Sequence, residues 1–148
     1  MSTYTQILYQ IVFSTKNREK CLLKENREQL FKYIWGIAKN KKCILYRING
    51  VENHLHMITH LHQSIALSEF VREIKTSSSA WIKENGIFPQ FKSWQIGYAA
   101  FTYSIKAKEN LIVYVKNQEE HHKKKSFADE LKDLLNEHQI KYDPKYLL

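Results

Sequence analysis

His54-Leu55-His56 places two imidazoles one residue apart in a segment, HLHMITHL, with the composition of a strand. On a strand, residues i and i+2 face the same side about 7 Å apart along the chain. Both rings can then converge on one metal ion while Leu55 turns into the opposite layer. A pair of strand histidines holding nothing satisfies the same spacing, and spacing alone leaves that choice open. His60 and His62 extend the alternation. Extended chain carries His62 about 20 Å beyond the pair, too far for one ion, so these two read as a polar strand exit.

Tyr114 and Gln118 are one helical turn apart and share a face if the segment is helical. A tyrosine nucleophile needs help, because with a reference pKa near 10 only about one phenol in a thousand is ionised at neutral pH. That deficit, roughly 4 kcal/mol, must be offset by a nearby cation or base. Leu111, Tyr114 and Val115 fit a plain core stripe equally well. His121-His122-Lys123-Lys124-Lys125 follows directly and suits either a phosphate backbone or a solvated face. No GxxxxGK[ST] loop, GxGxxG fingerprint or GxSxG elbow occurs, so nucleotide-driven and serine-hydrolase chemistry have no visible seat. Cys21 and Cys43 stand alone and read as packing residues, not as a disulfide framework or a zinc–thiolate site.

The elements that must position these groups follow from hydropathy period and turn chemistry. Tyr4 to Ser14 predicts a first strand, and Glu25 to about Ala38 a helix with Leu30, Phe31, Ile34, Trp35 and Ile37 at helical spacing. Cys43 to Ile48 predicts a second strand, Asn49-Gly50 a tight turn, and His54 to Leu61 a third strand antiparallel to the second. A long helix from Ala66, with Ser68 as cap, runs to Asn85-Gly86, and its hydroxyl-rich patch Thr76-Ser77-Ser78-Ser79 is unusual for a helix interior. Trp94 to Ser104 predicts a fourth strand and Glu109 to about His121 a helix. Ser126 then caps a last amphipathic helix from Phe127 to about His138. The order predicts an α+β, ferredoxin-like βαββαβ antiparallel sheet with helices on one face plus C-terminal helices.

Composition bounds the class. At 148 residues the chain is about one domain, taken as 1–148, and 43% hydrophobic residues with 7 Phe, 3 Trp and 9 Tyr can build a core. Only 4 Gly and 2 Pro argue against a disordered or linker-rich protein. No apolar run is long enough to span a bilayer, and Met1-Ser2-Thr3-Tyr4 does not start like a secretory signal. A cytoplasmic protein without a membrane partner is expected. A net charge of +8 favours an anionic partner such as nucleic acid.

Asn53-His54-Leu55-His56-Met57 resembles the HUH motif (His, hydrophobic, His) of the single-tyrosine transposases of the insertion sequence 200/605 type. Tyr114-Val115-Lys116-Asn117-Gln118 resembles their Tyr-x-x-x-Gln helix, and Glu69 to Trp81 (EFVREIKTSSSAW) is similar to the helix after their HUH strand. The likeness extends from the first strand through EEHHKKKSF. It implies a DNA transposase that cleaves and rejoins single-stranded DNA, often a hairpin end of its own element, through a 5′-phosphotyrosine. It implies Tyr114 as the nucleophile, His54, His56 and Gln118 as ligands of Mg2+ or Mn2+, and no nucleotide cofactor. It also implies a homodimer in which the tyrosine helix can complete the partner's site. Lys41, Lys42, Lys123, Lys124 and Lys125 are candidate contacts to the DNA backbone. Two alternatives stay open: a domesticated nickase acting on repeat hairpins, and a non-catalytic nucleic-acid-binding module in which Tyr9, Phe13 and Tyr103 stack bases.

Overall fold

The computed structural model describes residues 2–147. The chain runs β1 (Leu8–Ser14), α1 (Lys24–Asn40), β2 (Ile44–Gly50), β3 (His54–His60), α2 (Leu67–Asn85), β4 (Ala99–Tyr103), α3 (Lys108–Lys116), α4 (Gln118–His122) and α5 (Phe127–Glu137). The four strands form an antiparallel sheet in the order β2-β3-β1-β4, the βαββαβ arrangement expected from the sequence. Among the described residues, no helix is long and apolar enough to cross a membrane.

Strand alternation divides the sheet into two faces. Ile11, Phe13, Leu55 and Met57 point to one side, where they are buried with Leu30, Ile34 and Ala38 of α1 and Phe70, Ile74 and Ile82 of α2. The other side presents Leu8, Gln10, Val12 and Ser14 of β1, whose register partners on β3 are His60, Ile58, His56 and His54. A one-residue slip of β3 would eject Leu55 and Met57 from the first core at a cost of roughly 3–6 kcal/mol. Apolar burial on one face thus holds both imidazoles on the other.

The C-terminal helices cover that second face in two blocks. Helix α3 packs Val115 against Leu8 and Ile58. Helix α5 packs Phe127, Leu131, Leu134 and Leu135 against Val12, Ala99 and Phe101. The histidines of β3 lie where the two blocks meet.

Several boundaries differ from the sequence reading, each for a local reason. Asn49-Gly50 ends β2 instead of forming the turn: Gly50 pairs with Leu55, and Val51 N–H donates 3.1 Å to the His54 carbonyl. A Cβ on Gly50 would lie 2.3 Å from that carbonyl oxygen, so close strand approach is what requires glycine here. Strand β1 begins at Leu8, four residues later than predicted, and β4 covers only Ala99–Tyr103. Trp94 instead forms an isolated bridge to Thr15. Ser68 does not cap α2, whose N-cap is Ala66 without a side-chain bond, whereas Ser126 does cap α5 by accepting from Asp129 N–H. At Gly86 the left-handed backbone (φ 60°) stops α2 as expected. The hydroxyl patch of α2 has a packing explanation. Ser78 is fully buried, donates 2.6 Å to the Ile74 carbonyl, and accepts 3.0 Å from Trp94 Nε1–H.

Candidate active site

His54 and His56 are both fully buried, and their rings lie 5.2 Å apart between centroids. Each is oriented by a second polar group. His54 Nδ1 faces Asn53 Oδ1 at 2.8 Å, and Phe127 stacks on its ring at 4.0 Å. His56 Nδ1 takes the Gln10 amide at 3.1 Å, and Tyr103 O–H donates 2.8 Å to Gln10 Oε1. Exchanging the two ends of that amide leaves the network satisfied, because the Tyr103 hydroxyl both donates and accepts.

The predicted helix over Glu109–His121 is broken at Asn117 (φ −95°, ψ 21°), so Tyr114 lies in the last turn of α3, which ends at Lys116, and Gln118 begins α4. Asn49 of β2 contributes to the break. Its amide nitrogen donates 3.1 Å to the Val115 carbonyl and 3.0 Å to the Lys116 carbonyl, satisfying backbone acceptors at the end of α3. The two side chains nevertheless meet. Gln118 is fully buried, with Oε1 3.2 Å from His54 Nε2, and the Tyr114 ring lies 5.8 Å from that of His56.

What they meet on is Glu130 of α5, a carboxylate the sequence reading did not single out. Its Oε1 lies 2.9 Å from His56 Nε2, 3.0 Å from His122 Nε2 and 3.4 Å from His54 Nε2. Its Oε2 accepts the Tyr114 hydroxyl and, at 3.1 Å, Gln118 Nε2–H. His121 Nε2 stands at the rim, 3.3 Å from the same oxygen. A signal for Glu130 existed in the sequence. The buried stripe of α5 is Phe127, Glu130, Leu131, Leu134 and Leu135, so one acid occupies a core position of an otherwise apolar face. His122, four residues after Gln118, was also hidden in what reads as a basic run. Its Nε2 lies 3.1 Å from Gln118 Oε1.

The electrostatics follow from this packing. Burial depresses His54 to about 4, only partly opposed by its hydrogen bond to Glu130. For Glu130 burial works against the charge, but bonds from His122, His54 and His56 outweigh it and hold the carboxyl well below its usual range. Burial also opposes charge on His122, yet Glu130 raises its pKa above the ordinary histidine value. The Tyr114 phenol is pushed well up, first by burial and then by the negative charge of Glu130. Without a cation, the phenol is a poor nucleophile.

The donor set fits a divalent ion: His54, His56, His122 and Glu130 offer ligand atoms all within 4.8 Å of one another. Beside Tyr114 and Glu130 opens a cleft of about 470 Å3, also lined by Gln10, Tyr103, His121 and Lys125. His60 and His62 do not join the cluster. His60 Nδ1 accepts the Ile7 N–H, and His62 Nδ1 bonds Ser64 Oγ.

The lysines nominated for DNA contacts are dispersed. Lys41 pairs with Glu73, Lys123 with Glu120 at 2.8 Å and Lys125 with Asp133, while Lys42 and Lys124 are exposed. Of the aromatics that could stack bases, Phe13 is fully buried edge-on against Trp94 and so has no free face.

Comparison with known proteins agrees with this architecture. No curated protein is similar enough in sequence to match. A proposed transposase of Deinococcus radiodurans R1 superimposes with a TM-score of 0.62 at 19% identity, covering 80% of this chain and 95% of its own. A REP-associated tyrosine transposase, solved bound to a REP hairpin, superimposes with a TM-score of 0.57 at 18% identity, covering 79% of this chain and 72% of its own. At such identities these likenesses speak to fold. The family profile described as "Transposase IS200 like" matches residues 3–118, from before β1 through the buried glutamine that follows the phenol. A chain that carries this profile over most of its length, on this fold, belongs to the IS200-like transposase family.

Proposed function

We propose that this protein cleaves and rejoins single-stranded DNA with Tyr114 as nucleophile and with His54, His56 and Gln118 around a divalent ion, Mg2+ or Mn2+. The observation that carries the reading is convergence. A phenol from α3, an amide from α4 and two imidazoles from β3 all reach one carboxylate, within one chain.

Tyr114 oxygen would attack the scissile phosphorus and displace a 3′-oxygen, leaving a 5′-phosphotyrosine and a free 3′-hydroxyl. Attack by another strand's 3′-hydroxyl would reseal the backbone and release the tyrosine. The ester bond is conserved in the protein–DNA link, so no nucleotide cofactor is needed. A divalent ion held by His54, His56 and Gln118 would supply charge neutralisation for the phosphate oxygens and ease ionisation of the Tyr114 phenol. Chain groups do the rest. Asn49 sets the end of the tyrosine helix, Asn53 and Gln10 orient the imidazoles, and Glu130 takes the phenol hydrogen bond. The open cleft beside Tyr114 is where a strand would enter, past Lys125.

The substrate read here is a single strand folded as a hairpin, supported by the fold neighbour solved with a REP hairpin. A homodimer is part of the reading. Within this chain the Tyr114 ring lies 5.8 Å from that of His56, which supports a site whose phenol and imidazoles come from one protomer. The test is incubation with labelled hairpin DNA from the flanks of the gene and Mg2+ or Mn2+. A covalent adduct should survive denaturation and be lost in Tyr114→Phe. Retarded migration only under native conditions would instead identify a binding module.

A further inference from the structure

Proton placement in the cluster gives information beyond the ligand set read from the sequence. The Nδ1–H of His122 donates 2.7 Å to the Lys125 carbonyl, and that of His54 donates 2.8 Å to Asn53 Oδ1. With the ring proton used there, each neutral imidazole turns an Nε2 lone pair inward. His122 Nε2 then faces Gln118 Oε1 at 3.1 Å and Glu130 Oε1 at 3.0 Å. His54 Nε2 faces the same two oxygens at 3.2 and 3.4 Å. Acceptors facing acceptors in a buried pocket repel unless a cation lies between them, a proton shared with Glu130 in the metal-free protein or a metal ion in the loaded one.

We propose that Glu130 and His122 are themselves ligands of the divalent ion, giving a centre of three imidazoles and one carboxylate with the Gln118 oxygen beside it. Such a centre takes Mn2+ and later first-row ions in preference to Mg2+. The inference rests on reading His54 and His56 as ligands. Spacing supports it. Bonds of about 2.0–2.2 Å put two ligand atoms on one ion at most ~4.4 Å apart, and the four present atoms lie within 4.8 Å of one another. A contraction of a few tenths of an ångström closes the shell. Both added residues are held for the task. Glu130 rides a helix capped by Ser126 and anchored by Phe127 and Leu131, and His122 is tied back by the Lys125 carbonyl. The metal preference follows from ligand class, since imidazole nitrogen is a weak ligand for Mg2+, which favours oxygen, and a good one for Mn2+ through Zn2+.

The competing role for Glu130 is an internal counter-ion that bonds the imidazoles in place of a metal, and binding measurements separate the two by sign. Mn2+ affinity of the full chain is measured without DNA, from loss of the free-ion EPR signal. Glu130→Gln and His122→Ala are each expected to weaken binding at least roughly tenfold. Mg2+ is expected to displace Mn2+ only at roughly 100-fold excess or more. Unchanged or tighter binding by Glu130→Gln overturns the proposal. Undiminished binding by His54→Ala would instead overturn the underlying reading, so the two failures are distinguishable. Should a variant fail to fold by circular dichroism, pulsed EPR of Mn2+-loaded wild type with 15N-histidine decides the matter. Couplings to three imidazoles support it and couplings to two overturn it.

Discussion

The side-chain amide of Asn49 donates 3.1 Å to the Val115 carbonyl, joining the edge strand beside His56 to the end of the helix that carries Tyr114. One side chain thereby sets the phenol's position relative to the imidazoles. Asn49→Ala should cost about 1–2 kcal/mol of stability through two lost hydrogen bonds. The rate of adduct formation should fall by roughly tenfold or more, because misplacing a nucleophile by about an ångström is costly. Single-turnover cleavage alongside thermal melting checks both. A rate equal to wild type would separate Asn49 from nucleophile placement.

Tyr114→Phe should abolish the covalent adduct and keep the fold. Glu130 loses one donor but retains His56, His122 and Gln118, so the stability change should stay near 1 kcal/mol. Because the phenol meets the imidazoles of its own chain, mixing Tyr114→Phe with His56→Ala protein should restore no cleavage. Recovery of activity on mixing would show that the site is assembled from two chains.

His54 should remain neutral in the metal-free protein until pH falls to about 4. Its folded pKa lies below the ordinary 6.5, so between these values the unfolded chain binds a proton that the folded chain does not. Stability should therefore decline as pH falls through that window, by up to about 3 kcal/mol from this residue. Glu130, also held below its usual range, acts in the same direction at more acid pH. Histidine NMR titration and denaturant unfolding at pH 7, 5.5 and 4.5 measure the two quantities. A ring titrating near 6.5 would contradict the burial argument.

Ser78→Ala tests the core beneath the sheet's other face. It removes the acceptor of the Trp94 indole N–H and leaves that donor buried. A loss of about 1–3 kcal/mol is expected, with Mn2+ affinity unchanged because Ser78 lies across the sheet from the histidines. A large change in metal affinity would reveal coupling between the two layers.

The element order, the strand carrying His54 and His56, the Ser126 cap and the Gly86 stop were all legible in the sequence. Each rests on short-range physics: side-chain period, cap chemistry and turn conformation. Even the face on which the imidazoles lie follows from Leu55 and Met57, whose burial dictates the alternation. The break at Asn117 was not legible, because it is stabilised by an amide from β2, distant in sequence. Nor was the role of His122 and Glu130. A histidine in a basic run and an acid in an amphipathic helix are ordinary locally, and only packing of α4 and α5 onto the sheet turns them toward His54 and His56. Sequence determines which groups can exist on which face of an element. The tertiary structure decides which faces meet, because that depends on burying apolar surface between segments remote along the chain.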